Sequence, residues 1–338
     1  MPSSQTALDV QNQRPPVPLA LTRVGVAGVE KLIRVGRPGE ELPYLATFET
    51  VVDLGPDQKG AHMSRFEEVV NAAIAEEVVG GGPVLRAEDL ARRVAAVIRE
   101  RQGARRAEVR VSARYPEDRP APVSGIASQE IFTLHGIAVA TDAGTRTVTG
   151  VTAQGITACP CAQEHLRDGA ARGLVDAGFD DEQIATILDV VPVATHNQRG
   201  LGTLYLGRIN EDGGDASNVP QDIDAIDMVR LVEGSMSSEI YELMKRTDEG
   251  AVVEKAHRNP RFVEDCVREL LRSVVERFGG LSDDAFVLAR QENLETIHQH
   301  DVIAERSGTL GELRTELGRG VEPARHTTLR EWLDAAGS

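Results

Sequence analysis

The chain has 338 residues, 41% of them hydrophobic, enough to bury one large core or two ordinary ones. Its 53 acidic and 37 basic residues give a formal net charge of −16, which argues against nucleic acid as a partner, because a phosphate backbone calls for a basic surface. Three cysteines argue against a secreted disulfide scaffold. With no basic-then-apolar leader and no apolar run near the roughly 18 residues of a membrane span, the chain reads as cytoplasmic, with no membrane partner.

Residues 1–18, with Pro15, Pro16 and Pro18, read as a flexible leader. Strand-like β-branched content follows over 24–35 and 44–54, divided by the turn-rich Gly36-Arg37-Pro38-Gly39. Helical spacing then places Phe66, Val69, Val70, Ala73 and Ile74 on one face of 64–78, and Leu90, Val94, Val97 and Ile98 on one face of 87–102. The break Gly80-Gly81-Gly82-Pro83 separates the two helices, and strands return at 107–114 and 131–141. The first half is therefore ββααββ.

The second half repeats that order, with strands at 147–158 and 195–209 around a polar helical insertion at 163–191. Helices are expected at 225–245 and 260–278, the latter with Phe262, Val263, Cys266, Val267, Leu270, Leu271, Val274 and Val275 in one stripe and Pro260 in its first turn. A strand pair over 285–305 closes the repeat. The resulting organisation is a leader (1–18), two units (19–146 and 147–306) and a tail of mixed character (307–338).

Several stretches carry candidate chemistry. Cys159-Pro160-Cys161 holds two of the three cysteines, too close for a structural disulfide but suited to a thiolate ligand or nucleophile. His298-Gln299-His300 sets two imidazoles on one face of a strand, and His196 adds a third. None has the spacing of a closed structural zinc site, whereas donors assembled from distant segments are the catalytic pattern. Histidines in ordinary strand hydrogen bonds are the plainer alternative. Glu295, three residues before His298, reaches that histidine's side only if a turn intervenes. There is no Walker loop and no dinucleotide fingerprint. Lys59-Gly60-Ala61-His62-Met63-Ser64-Arg65 instead places cationic groups at a helix start, where free N–H groups favour anions. Ser64 and Glu67 there have capping-box spacing. Glu249 and Glu264 read by default as part of a charge run and as a dipole partner.

Taken in order, Lys59–Phe66, Cys159-Pro160-Cys161, His196-Asn197-Gln198-Arg199, Lys245-Arg246-Thr247-Asp248-Glu249, Asn259–Asp265 and Glu295–His300 resemble the type IB GTP cyclohydrolases, most closely their archaeal branch. The acidic composition would suit a halophilic archaeon. The resemblance implies an α+β tunnelling fold (T-fold): two tandem ββααββ units with antiparallel sheets, assembled as a homodimer or larger homo-oligomer with sites at the interfaces. It implies GTP as substrate and Fe(II) as cofactor, with Mn(II) or Zn(II) as substitutes. The archaeal product is 7,8-dihydroneopterin 2′,3′-cyclic phosphate, with formate and pyrophosphate released; the bacterial enzymes keep the triphosphate. By the same resemblance Cys159, His196 and His298 would bind the metal, with Glu249 as a fourth group. Cys161, Glu295 and His300 would handle protons alongside Cys159. Glu264 would anchor the guanine, and Lys59, His62, Arg65 and Arg199 are the candidates for the phosphates. A deazapurine nitrile reductase of the same fold and a non-catalytic metal- or purine-binding protein are the alternatives.

Overall fold

The structure, a computed structural model, describes residues 10–35, 42–80, 86–210 and 223–335. The first half runs β1 (Leu21–Val35), β2 (Leu42–Leu54), α1 (Met63–Gly80), α2 (Ala87–Gln102), β3 (Ala107–Pro120) and β4 (Ala127–Thr141), in the expected order. The second runs β5 (Gly144–Ala158), α3 (Pro160–Asp176), α4 (Asp181–Val190), β6 (Asn197–Asn210), α5 (Ala225–Gly234), β7 (Ser238–Glu239), α6 (Arg246–Arg258), α7 (Val263–Arg277), β8 (Phe286–Leu294) and β9 (Val302–Thr309). Two further helices, α8 (Leu310–Arg319) and α9 (Leu329–Asp334), complete the chain.

The two units share one antiparallel sheet in the order β1-β2-β3-β4-β5-β6-β8-β9, with the short β7 paired to β5. They join through a tight turn between β4 and β5, where Thr141 faces Gly144. The expected boundary at 146/147 therefore falls inside a strand rather than in a linker. This architecture is the tunnelling fold.

Period-two alternation divides the residues of each strand between the faces. In β3, Val109, Val111 and Ala113 join the core under α1 and α2, with Phe48, Phe66, Leu90, Val94 and Ile98. A second core under α5 and α7 gathers Leu204, Leu206, Met228, Val232, Leu270 and Val274. Burying each such large side chain contributes about 1.5–3 kcal/mol, so both helix pairs are anchored by the stripes visible in the sequence. Gly136 lets α2 approach closely: a Cβ there would lie 2.2 Å from the carbonyl carbon of Ala87.

The opposite face is mostly polar, but α9 covers one end of it. Trp332 and Leu333 pack on Ile137, Val139, Val148 and Phe286. The Trp332 Nε1–H donates to the Asp284 carbonyl at 2.8 Å, and Arg146 lies over the indole at 4.9 Å. The tail expected to be of mixed character thus belongs to the fold.

Other expectations are corrected. Residues 225–245 do not form one helix: α5 stops at Gly234, and Ser237 N–H then donates to the Ile156 carbonyl at 2.9 Å, which starts β7. Ser64 is not an N-cap, because α1 begins at Met63, and Glu67 pairs with Lys31 at 3.1 Å. Pro260 precedes α7, whose N-cap is Phe262; the Phe262 N–H donates to Asp265 Oδ2 at 3.1 Å. The turn at 36–39 and the glycines at 81 and 82 lie outside the described residues. No helix among the described residues is long and apolar enough to cross a membrane.

Candidate active site

Alternation along three neighbouring strands builds one wall of a site. Val151 and Ala153 in β5, Leu204 and Leu206 in β6, and Val287 and Ala289 in β8 all face the core under α5 and α7. Counting in twos along the same rows leads to Cys159, His196 and Glu295, just past the strand ends. The helical insertion does not separate the first two. Ala158 pairs with Asn197 across β5 and β6, and Cys159 N–H donates to the His196 carbonyl at 3.1 Å. The α3–α4 excursion leaves the sheet at Cys159 and returns directly opposite it. Thr195 Oγ1 also donates to the Cys159 carbonyl, at 3.0 Å.

The α7 N-terminus supplies the second wall. Arg261 N–H donates to the Ala158 carbonyl at 3.0 Å, pinning the entry to α7 beside Cys159. The Arg261 guanidinium donates to the carbonyls of Gly234 and Ser235 at 3.3 and 2.7 Å, where the end of α5 favours a cation. Glu264 stands in the first turn of α7 and lines the cavity.

The β8–β9 connection forms the third side. His298 and His300 lie in this turn and not on a strand; their rings stack at 5.1 Å. Glu295 N–H donates to Asp301 Oδ1 at 3.2 Å and Thr296 Oγ1 to the Asn197 carbonyl at 3.2 Å, which folds the connection back against β6. This is the turn that the odd Glu295–His298 separation required.

The result is a cavity of about 440 Å³ lined by Cys159, His196, Glu264, Glu295, His298 and His300, with Gln198, Arg261 and Asn293 also in its wall. Sequence alone does not single out those last three; their signal is the alternation with His196 and Glu295 and, for Arg261, the position ahead of α7. His196 Nδ1 lies 3.1 Å from Gln198 Oε1 and 3.9 Å from Glu295 Oε2. Both neighbours are acceptors, an arrangement that leaves Nε2 as the ring's ligand atom. A thiolate, imidazoles and a carboxylate opening on one cavity suit a divalent transition metal in their donor chemistry. Among the described residues no three His, Cys, Asp or Glu side chains are already gathered tightly enough to hold an ion.

Six expected site residues do not line this cavity within the chain. Cys161 is exposed in the first turn of α3. Arg199 is one residue out of phase with His196 and Gln198, hence on the other face of β6. Glu249 is exposed on α6, because its neighbour Asp248 takes the inward position. Burial opposes the charge of Asp248, but hydrogen bonds from Ser124, Lys245 and Val123 outweigh it and hold this carboxyl well below its usual range. Lys59, His62 and Arg65 sit where α1 begins, in the other unit. There Arg65 donates to the Arg101 carbonyl at 2.8 Å, and Gln102 Nε2 to the His62 carbonyl at 2.9 Å.

Residues 8–304 match the family model described as type I GTP cyclohydrolase folE2. The chain is 43% identical to GTP cyclohydrolase MptA of Methanococcus aeolicus over 322 residues, covering 91% of this chain and 99% of that relative. It is 42% identical over 318 residues to GTP cyclohydrolase MptA of Methanocaldococcus jannaschii, covering 91% and 97%. Uricase from Arthrobacter globiformis superposes with a TM-score of 0.52 at 9% identity, covering 94% of this chain and 99% of the uricase, a likeness of fold alone. With the family model spanning most of its length and relatives above 40% identity, the chain belongs to the type I GTP cyclohydrolase family.

Proposed function

We propose that this chain is a type IB GTP cyclohydrolase of the archaeal kind. It would open the imidazole ring of GTP, release formate and pyrophosphate, and form 7,8-dihydroneopterin 2′,3′-cyclic phosphate as the first step of a pterin pathway. The observation that carries this reading is the single cavity that joins the Cys159–His196 strand pair to the Glu264 carboxylate at the start of α7. A carboxylate there accepts from the ring N–H and exocyclic amino group of guanine in a bidentate pair. Adenine lacks the ring proton, so the same contact selects between purines.

Cys159 Sγ, His196 Nε2 and His298 are the groups that would hold the metal, Fe(II) first, with Mn(II) or Zn(II) as substitutes. Such an ion supplies Lewis acidity that makes water a competent nucleophile at neutral pH. Glu295 and His300, on the same side of the cavity, carry protons to and from the purine nitrogens and the departing formyl group. The amine freed by loss of formate then condenses with the opened ribose to close the second ring with loss of water, and the hydroxyl released next to the phosphate-bearing carbon attacks the α-phosphorus and expels pyrophosphate.

Pyrophosphate is strongly anionic, yet Arg261 is committed to the end of α5. The cations at Lys59, His62 and Arg65 lie in the other unit of the same chain. Their contribution requires a second copy to place its first unit over this cavity, as in a homodimer or larger ring. Incubating the anaerobic protein with GTP and Fe(II), assaying formate and recording phosphorus NMR of the product, tests the reading. A cyclic phosphate with free pyrophosphate supports it. An intact triphosphate chain would assign the bacterial-type reaction instead, and no formate would remove the activity.

A further inference from the structure

Gln198 is a buried polar residue bordering the cavity, with both ends of its side-chain amide in hydrogen-bond contact. It sits at the second position after the strand end that carries His196, on the same face of β6, and only 5% of it is exposed. Its amide makes two contacts. Oε1 lies 3.1 Å from His196 Nδ1, and Nε2 donates to Thr157 Oγ1 at 3.0 Å. Thr157 is fully buried on β5, directly across the ladder from Gln198. A short polar chain therefore runs from one strand through the amide to the imidazole.

We infer that Gln198 is a positioning residue that fixes the tautomer and ring plane of His196. A neutral imidazole carries its proton on one nitrogen only, and the group facing a nitrogen decides which. Glu295 Oε2 also faces Nδ1, but at 3.9 Å it is beyond hydrogen-bond range. The hydrogen-bonded acceptor is thus the Gln198 carbonyl oxygen, which draws the proton to Nδ1 and leaves the Nε2 lone pair free. Among the described residues Nε2 has no hydrogen-bond partner. The opposite amide orientation would present an N–H to Nδ1, shift the proton to Nε2 and block it as a ligand. The buried Thr157 contact and the ladder on both sides of Gln198 restrict its side chain, so the ring is set before any ligand arrives. This inference rests on the metal-binding reading for its consequence, but the tautomer itself is a property of the metal-free protein.

The experiment uses the full chain, metal-free, with ¹⁵N-labelled histidine at about pH 8, above the ordinary histidine range. The His196 signals are assigned by their loss in His196→Ala, and two-bond proton–nitrogen correlations report the tautomer. The Nδ1–H form is expected in the wild type; an Nε2–H form would overturn the inference. Gln198→Met keeps length and volume but removes the acceptor, and should yield a tautomer mixture. An unchanged tautomer in folded Gln198→Met would also overturn it. Titration with Co(II) alone, followed by thiolate charge-transfer absorption, should show binding weakened about 10- to 100-fold in that variant, the range typical for loss of a group that orients a ligand. Equal Co(II) affinity in the two proteins would deny Gln198 its positioning role. A wild type that gives no Co(II)–thiolate band would instead sink the metal-binding reading, with the tautomer measurement still deciding the inference.

Discussion

Cys159 and His196 are direct cross-strand neighbours, joined by a 3.1 Å hydrogen bond from the Cys159 N–H to the His196 carbonyl, although two helices intervene in the chain. A soft and a borderline donor are therefore held on rigid, paired backbone, while His298 comes from an exposed turn. On the proposed metal-binding reading, replacing Cys159 by Ala should cut formate release from GTP by more than about 100-fold, since it would remove a ligand rather than a group that orients one. The thermal midpoint should change little, because Cys159 is only partly buried. Formate release close to wild type would remove the thiolate from the reaction.

Glu264 should govern purine selection. Its replacement by Ala leaves the guanine edge without an acceptor in the cavity, at a cost of about 2–4 kcal/mol, or a loss of roughly 30- to 1,000-fold in kcat/KM for GTP. ITP, which lacks the exocyclic amino group, should lose less. Equal losses on the two substrates would deny the bidentate contact.

The separation of Lys59, His62 and Arg65 from the Cys159 cavity leads to a mixing experiment. On the proposed reading of a site shared between two copies, Cys159→Ala and Arg65→Ala would each inactivate a different half of it. Unfolding and refolding them together should restore roughly a quarter of wild-type activity, the statistical share of intact sites in a randomly mixed dimer. No recovery, in a mixture shown to contain heterodimers, would place the whole site within one chain.

The ββααββ repeat was legible because its cores follow simple periods: twos in Val109 and Val111, threes and fours in Leu270, Leu271 and Val274. Cys159, His196, Glu264, Glu295, His298 and His300 were legible as motif members. Their convergence was not, because it depends on strand register across β5, β6 and β8, a long-range property that local pattern does not carry. Arg199 shows the limit most clearly. It directly follows Gln198 of the site wall in sequence, yet alternation turns it to the opposite face. Glu249 shows the same for a helix: beside it, Asp248 is drawn inward by the β3–β4 turn, where its carboxylate accepts from Val123 and Ser124 N–H at 2.8 Å each. The end of α5 at Gly234 and the strand β7 that follows it inside 225–245 likewise reflect a tertiary pairing with Ile156, invisible to helical spacing.

Trp332 offers a test of the C-terminal segment, which lies beyond the residues matched by the family model. It is 3% exposed and sits on the sheet face opposite the Cys159 cavity. Trp332→Ala should cost about 3–5 kcal/mol of stability through the void it leaves. The KM for GTP at low temperature should stay close to wild type. A comparable loss of GTP affinity in the folded variant would show that this face is coupled to the site.

His135 gives the protein a pH dependence whose sign can be worked out. The ring lies on the open face of β4, 3.1 Å from Thr152 Oγ1 and edge-on to Tyr205, whose ring lies over Gly150. Burial lowers its pKa from 6.5 to about 4. Between those values the unfolded chain binds more protons at this position than the folded one, so stability rises with pH. The contribution is complete above the unfolded value and is lost as pH falls towards the folded one. Over that window it amounts to something on the order of 2–3 kcal/mol. Carboxylates titrate in the same range, so the quantity to measure is the difference between wild type and His135→Gln. Denaturant midpoints taken from pH 4 to pH 8 should show that difference moving in favour of the wild type up to about pH 6.5 and flat above it. A difference that stays constant across the window would mean that His135 is not held neutral by its surroundings.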